Sequence, residues 1–485
     1  MEDEWSRWGL DLHVHLRTGA GHGLRAGLEH ALRDAVRSGR LSSGTRLPSS
    51  RALARDLGLA RGTVTQALDQ LVAEGYLESK PRSGIRVAPQ PTAPPAETAP
   101  PSHATLRPVR GVDLRSGSPD LAAFPRREWL AATRHVMQTA PNTAFGYREP
   151  TGAIELRQAL AEYLGRARGV STTPDHIVVC AGYAHALRLV CQVLRHHGGS
   201  AGALAFEDPT EPRHPALVEQ LGHRARRLPV DRDGLIVEGL TDESAVVVTP
   251  AHQYPLGVTL SPARRVELVS WARRTGAYIV EDDYDGEFRY DRQPVGALQG
   301  MAPDRVVYAG TASKTIAPGL RLAWLALPSG LLAALREVTR WDESSVSVID
   351  QLVLARLVRT GELDRHVRRC RARYRRRRDL LGEAVTRRLP HGRLSGIAAG
   401  LHAVLRLPAG SDHEAALLAH LAGRGIHVEG ISPFYHRPER SPLAVVIGYA
   451  TPAEHAYGSA LDALVDALRE RMPATGPQPR SGCGM

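Results

Sequence analysis

The 485-residue sequence predicts an α/β protein with a winged helix-turn-helix at its N-terminal end, and three observations carry the prediction. Short amphipathic stretches broken by Gly39, Gly58 and Gly75 run into a hairpin pattern before residue 88. A stretch with seven prolines follows, Pro89 to Pro108. From Val112 onward, apolar strand-like runs alternate with helical ones, the pattern of a sheet covered on both faces. A chain this long outgrows a single core, so two or three domains are expected. The boundaries read as 13–88, a linker at 89–111, a large domain at 112–472 and a disordered tail at 473–485.

Leu24, Leu28, Ala31, Leu32 and Ala35 recur at helical spacing, and Ser38-Gly39 stops that helix. Pro48-Ser49-Ser50 opens a short helix, Arg51 to Leu57, with Ser49 as its N-cap. Gly58 ends it. Ala60-Arg61-Gly62-Thr63 starts another, reaching about Glu74, with Val64, Ala67, Leu68 and Leu71 on its buried face. Tyr76-Leu77-Glu78, a Pro-Arg-Ser-Gly turn and Ile85-Arg86-Val87 make a two-stranded wing. The proline stretch is a semi-extended linker. Beyond it, Ile177-Val-Val-Cys, Ala245-Val-Val-Val-Thr, Ala277-Tyr-Ile-Val-Glu and Val306-Val-Tyr-Ala-Gly read as buried strands.

Hydrophobic residues at 42% and aromatics at 5% describe an ordinary soluble protein. No apolar run nears the roughly 18 residues that span a bilayer, and Met-Glu-Asp-Glu is unlike a signal peptide. A cytoplasmic protein without membrane attachment is expected. Cys180, Cys191, Cys370 and Cys483 show no paired CxxC spacing, so four reduced thiols are expected, with neither a zinc site nor a disulfide scaffold. Net charge is +11, and residues 13–88 hold twelve Lys and Arg against six Asp and Glu. Over half the excess thus sits in under a fifth of the chain, and nucleic acid is the acidic partner that suits it. Arg365 to Arg378 holds nine arginines, which at helical spacing read as a solvated helix face rather than a second DNA contact.

The helix from Ala60 places Arg61, Thr63 and Gln66 on its exposed N-terminal face, where a recognition helix meets base edges of double-stranded DNA. Thr65 and Arg46 or Arg51 suit phosphates, and Arg82 at the wing tip suits the minor groove or backbone. The run LPSSRALARDLGLARGTVTQALDQLVAEGYL, Leu47 to Leu77, resembles the signature of the GntR superfamily of bacterial repressors. The resemblance implies operator DNA as a partner. Family members often carry arginine where this chain has Thr65, so no operator sequence is carried over.

A second motif is Gly310-Thr-Ala-Ser-Lys314-Thr-Ile-Ala-Pro-Gly-Leu-Arg321. A lysine flanked by small and hydroxyl residues, with an arginine seven positions on, suits a Schiff base to pyridoxal phosphate (PLP). That cofactor needs a lysine, an anion site, a partner for its pyridine nitrogen and a group near its 3-hydroxyl. Lys314 supplies the first. Thr311, Ser313, Arg321 and a helix opening at Ala181-Gly182-Tyr183-Ala184 supply the anion site. Asp282, at a strand end, can keep the pyridine nitrogen protonated, and Tyr284 can reach the 3-hydroxyl.

Residues 112–472 resemble a fold-type I PLP-dependent aminotransferase-like domain with a smaller C-terminal α+β subdomain. Gly146-Tyr147 before Gly152, the run Glu281-Asp-Asp-Tyr-Asp-Gly-Glu-Phe-Arg-Tyr290 and Thr249-Pro-Ala-His-Gln-Tyr-Pro-Leu-Gly257 resemble the MocR subfamily of GntR regulators. That resemblance implies a head-to-tail homodimer in which Tyr147 reaches the phosphate of the partner subunit's cofactor. It also implies an effector pocket with Glu211, Arg213 and His252, the effector being PLP itself or an amine such as GABA or a taurine-like amine. Control of vitamin B6 or of amino-acid and GABA metabolism genes is the implied role.

Two departures matter. Relatives usually place an aromatic at Glu211, and aminotransferases carry an arginine for the substrate α-carboxylate where this chain has apolar Val445-Val446-Ile447. Arg213 still matches a ligand-carboxylate position. The expected function is a PLP-dependent transcriptional regulator. The alternative is an active aminotransferase with an accessory DNA-binding module, and a third reading is a DNA-binding protein with an inert α/β domain. The missing arginine argues against efficient transamination, though a residual half-reaction stays open.

Overall fold

The computed structural model describes residues 23–80, 84–89, 111–146, 149–198, 202–290, 295–340, 346–408 and 411–472. The chain divides into two compact units, Met1–Thr105 and Leu106–Met485.

In the first unit, α1 (Leu24–Arg37), α2 (Ser50–Leu57) and α3 (Arg61–Ala73) are followed by the antiparallel pair β1 (Leu77–Lys80) and β2 (Gly84–Val87). Ser49 caps α2 by accepting from Ala52 N at 3.2 Å, and Gly58 closes it in the left-handed region at φ 63°. Leu28, Leu32, Leu53, Val64, Leu68, Leu71, Leu77 and Val87 form its core. Each buried leucine contributes about 2 kcal/mol, so the helical period that predicted the elements also holds them together.

The second unit is built on β3 (Val112–Asp113), α4 (Arg126–Thr139), α5 (Ile154–Arg168), β4 (Ile177–Cys180), α6 (Tyr183–Gly198), β5 (Ala203–Asp208), α7 (Arg213–Gln220), β6 (Arg224–Asp231), β7 (Gly234–Leu235), β8 (Ala245–Val248), β9 (Tyr278–Asp283), β10 (Val306–Thr311) and β11 (Ala323–Ala326). Eight strands form one sheet in the order β4-β11-β10-β9-β8-β5-β6-β7. From β10 to β6 neighbours run parallel, while β11 is antiparallel to both β10 and β4. The four strands expected from the sequence are all present. Of these β9 runs two residues further than expected, to Asp283.

The C-terminal α+β part has strands β12 (Arg393–Ser395), β13 (Ala403–Arg406), β14 (Ile426–His427), β15 (Glu429–Gly430) and β16 (Ala444–Ile447). A four-stranded antiparallel sheet runs β12-β13-β16-β15, while β14 pairs in parallel with β3. The start of the large unit is thereby tied to a segment over three hundred residues on.

The arginine run lies on the helix Glu362–Arg388 and is not a uniformly solvated face, contrary to expectation. Arg377 is buried, with Nη2 2.9 Å from both Asp120 Oδ2 and Glu454 Oε2, and its guanidinium donates to three backbone carbonyls. Arg371 and Arg378 also donate to carbonyls. Charge spacing on a helix does not reveal which turn another element covers. Cys180, Cys191 and Cys370 are free and buried, and Cys483 lies outside the described residues. Among the described residues no helix is long and apolar enough to cross a membrane.

Candidate cofactor site

β9 and β10 run parallel with Asp282 opposite Ala309, so their C-terminal ends open on one crevice, where α/β sheets bind ligands. Strand alternation decides which of two adjacent aspartates reaches it. The Asp283 carboxylate accepts from Arg168 Nε at 2.6 Å, Arg168 Nη2 at 3.0 Å and the Tyr308 hydroxyl at 2.8 Å. Asp282 is left facing Lys314 and Tyr183. Burial pushes its carboxyl well above the usual range and Asp283 adds to that, while Lys314 opposes. Lys314 lies in the turn after β10, half-buried, its Nζ donating to the Gly117 carbonyl. Burial lowers its pKa; Asp282 and Asp285 oppose the shift, and Arg213 reinforces it. Lowering an amine's pKa enlarges its neutral, nucleophilic share at a given pH.

Tyr183 opens α6. Its phenol pKa is raised by burial and then by Asp282, yet the hydroxyl lacks the geometry of a hydrogen bond to it and has no partner among the described residues. Buried hydroxyls are rarely left so, and a bound polar ring would supply the partner. The His214 ring sits 4.7 Å from the Tyr183 ring, and burial pushes the imidazole down to about 4, so it stays uncharged at neutral pH.

The anion cradle assembles through sheet register: Thr311 is opposite Ala323, and Ala323 opposite Cys180, which sets the Lys314 turn beside the start of α6. Arg321 Nη2 donates to the Ala181 carbonyl at 2.7 Å. Arg321 is the non-glycine residue with positive φ among the described residues, at 54°, a conformation costing roughly 1–2 kcal/mol. Gly182 has φ 90°, and a Cβ there would lie 2.9 Å from Arg321 Nη2. Thr311 Oγ1 stands 2.9 Å from Ser313 Oγ and accepts from Ser313 N at 3.1 Å. Hydroxyls, a guanidinium and a helix N-terminus thus converge, a set that suits a phosphate. Tyr147 lies outside the described residues.

Tyr284 is held from the opposite side. Its hydroxyl is 3.1 Å from His252 Nδ1, which is 2.9 Å from Asp285 Oδ2. His252, expected at the effector, therefore lies in a buried cluster with Asp285 and His402. Sequence reasoning missed Asp285, His402, His214 and Gly117. The carboxylate three residues past Asp282 was the one available signal.

At the rim, Arg213 Nε donates to Glu211 Oε1 at 2.6 Å, with the Arg213 side chain 85% exposed and that of Glu211 16% exposed. Arg213 in turn holds the Glu211 carboxyl below its ordinary pKa, although burial opposes the shift. Val446 packs with Leu256, Val404, Ile431, Phe434 and Ala444, so its side chain belongs to the core of the C-terminal sheet.

On the first unit, Arg46, Arg51, Arg61 and Gln66 are exposed, and Thr63 and Thr65 are half-buried. Arg46 bridges to Arg86 and lies over Gly84, bringing it to the wing. Arg82 lies outside the described residues.

Residues 24–87 match the model of bacterial regulatory proteins of the gntR family, and residues 109–446 that of aminotransferase class I and II. The chain is 32% identical over 447 residues to the probable rhizopine catabolism regulatory protein MocR of Rhizobium meliloti, across 87% of this chain and 89% of that one. The chain belongs to the MocR subfamily of GntR-type transcriptional regulators. This MocR-type chain is also 32% identical over 463 residues to the HTH-type pyridoxine biosynthesis transcriptional regulator PdxR of Corynebacterium glutamicum, across 94% and 99% of the two. An archaeal alanine:glyoxylate aminotransferase superposes with a TM-score of 0.67 over 75% of this chain and 92% of its own. At 23% identity that likeness establishes the fold of the large unit: a fold-type I aminotransferase domain.

Proposed function

We propose that this MocR-type regulator binds PLP through Lys314 and couples occupancy of that site to operator binding. The observation that carries the reading is the convergence of Lys314, Asp282 and the unpartnered Tyr183 hydroxyl beside the Gly182–Arg321 cradle. Arg321, Thr311, Ser313, Gly182 and Tyr183 at the start of α6 would hold the phosphate, Asp282 the pyridine nitrogen and Tyr284 the 3-oxygen. When bound, the cofactor supplies an electrophilic carbonyl that captures amines.

Coupling requires a ligand with different affinity for two conformations; each tenfold difference is worth about 1.4 kcal/mol. The proposed assembly is a head-to-tail cytoplasmic homodimer in which Tyr147 of one subunit serves the partner's phosphate. PLP itself is the first effector to try, because PdxR is named for pyridoxine biosynthesis. Amines come next, in keeping with control of vitamin B6, amino-acid or GABA metabolism. Arg61, Thr63 and Gln66 are the proposed base readers, with Arg46, Arg51 and Thr65, and Arg82 on the wing, on the backbone.

The Arg213–Glu211 pair and buried Val446 leave no arginine at the two positions where a ligand carboxylate is expected to dock unopposed. This disfavours the alternative, a working aminotransferase with an accessory DNA module. Footprinting of DNA beside the protein's own gene, with and without PLP and candidate amines, is the test. A footprint that PLP or an amine alters is expected. A footprint indifferent to all of them sinks the coupling.

A further inference from the structure

We propose that Asp285 and His252 are positioning residues for Tyr284: they keep the imidazole proton on Nδ1, so that the Tyr284 hydroxyl retains its own proton for the 3-oxygen of the bound cofactor. The inference rests on the PLP reading and deepens it.

His252 Nδ1 stands 2.9 Å from Asp285 Oδ2 and 3.1 Å from the Tyr284 hydroxyl. A carboxylate only accepts, so the shorter contact places a hydrogen on Nδ1, whether or not Nε2 carries one too. That nitrogen then has no lone pair for Tyr284. The phenol oxygen can share the Nδ1–H but cannot donate to it, and its O–H is left for another acceptor. In the other tautomer the hydroxyl would donate to Nδ1 and turn only lone pairs toward the cofactor.

The surroundings make room for this ring. A Cβ on Gly400, at φ 74°, would lie 2.2 Å from His252 Cε1 and 2.4 Å from Asp285 Oδ2. One on Gly257, at φ 72°, would lie 3.2 Å from His252 Nε2. His402 stands 5.1 Å away ring to ring, its Nε2 donating to the Pro255 carbonyl at 3.0 Å. His252, Asp285 and His402 bring ligand-type atoms within 4.8 Å of one another. The Asp285–His252 contact is nevertheless a hydrogen bond, closer than the roughly 3.3 Å between neighbouring ligands of a tetrahedral zinc ion.

The titratable groups facing Tyr284 are Asp282 and Asp285 from its own segment, His252 and Tyr254 from the loop after β8, and Tyr449 beyond β16. His402 stands behind His252, and Lys314 faces Asp282 and Asp285. Removing Asp285 therefore has two effects of opposite sign on Lys314. Losing its negative charge alone makes Nζ release its proton at lower pH. Losing a donor on the cofactor's 3-oxygen makes Nζ hold its proton to higher pH, because that oxygen then accepts from Nζ alone.

The experiment is a double-mutant cycle on cofactor-loaded protein, reading the pH midpoint of the bound cofactor's visible absorbance. Asp285→Asn puts an amide donor at Nδ1 and turns the ring to the wrong tautomer, as the same change does in a serine-protease triad. It is expected to raise the midpoint by about one pH unit, as Tyr284→Phe does, since one hydrogen bond is at stake in each. In the Tyr284→Phe background it should lower the midpoint or leave it unchanged. A midpoint that falls in Asp285→Asn with Tyr284 present, or shifts that simply add, overturns the proposal. Should Asp285→Asn not fold, nitrogen NMR of ¹⁵N-histidine-labelled wild-type protein decides. A hydrogen-bearing Nδ1 on His252 supports the tautomer, and a bare one overturns it. Wild-type protein that never acquires visible absorbance with PLP sinks the cofactor reading instead, while the NMR result still judges the tautomer.

Discussion

Around Lys314, the inner wall of the crevice and its rim follow different logic. On the inner wall Gly182 lies against Arg321, Asp282 faces Lys314, and each of these groups, with Tyr183, has a part to serve in the proposed binding of a phosphorylated pyridine. At the two positions expected to meet a ligand carboxylate, Arg213 is engaged by Glu211 at 2.6 Å and Val446 is part of an apolar core. Capture of a cofactor and capture of an amino-acid carboxylate are therefore separable properties of one fold. Under the proposed function this chain serves the first rather than the second, which suits a sensor better than a catalyst.

The comparison breaks most easily at Lys314. Lys314→Ala should abolish the visible absorbance of PLP-treated protein completely; a variant that stays yellow after dialysis would remove the inner wall's central claim. Next in size is Val446→Arg. It places an unpaired charge among Leu256, Val404, Ile431 and Phe434 and should cost at least about 3 kcal/mol of stability in a denaturant melt. A stable variant that gains carboxylate affinity would show that the rim is merely one substitution from an aminotransferase.

Arg321→Ala removes a charge-assisted anchor and should weaken PLP binding by about 1.5–3 kcal/mol, measured by equilibrium dialysis, with the protein still folded. Arg61→Ala should weaken operator binding by about 1–3 kcal/mol in a gel-shift titration and leave the cofactor absorbance untouched. Normal binding by this variant would place base readout elsewhere than the start of α3.

The smallest effect concerns pH. Lys314 must be neutral to attack a carbonyl, so the rate of PLP capture rises with pH through the depressed Lys314 pKa. Arg213 depresses it and Glu211 raises it. Arg213→Ala should thus move the midpoint of the pH–rate curve upward and Glu211→Gln downward, each by less than about one unit. Shifts of the reverse sign would mean the rim pair does not face Lys314 at all.

Much of this was legible from local pattern. Ser49 as a cap, Gly58 as a stop and the spacing of Val64, Ala67, Leu68 and Leu71 depend on neighbours within one turn, and the structure keeps them. The strand Ile177–Cys180 was readable because four consecutive apolar residues suit a strand buried on both faces. Asp282 was readable as a strand-end carboxylate; that its neighbour Asp283 turns to the other face, onto Arg168 and Tyr308, is seen only in the folded β9. The Arg365–Arg378 run misled for a related reason: helical spacing places Arg377 on a face, and only packing against Asp120 and Glu454 shows that face to be covered.

By itself the sequence determined the winged helix, the alternating α/β pattern and the residue types around Lys314, because caps, periodicity and motif spacing act over a few residues. Only the tertiary structure decided that Val446 is core, that β3 pairs with β14 and that Asp285 reaches Tyr284 through His252. Those outcomes depend on which faces meet after segments far apart in the chain have packed. No local pattern carries that information.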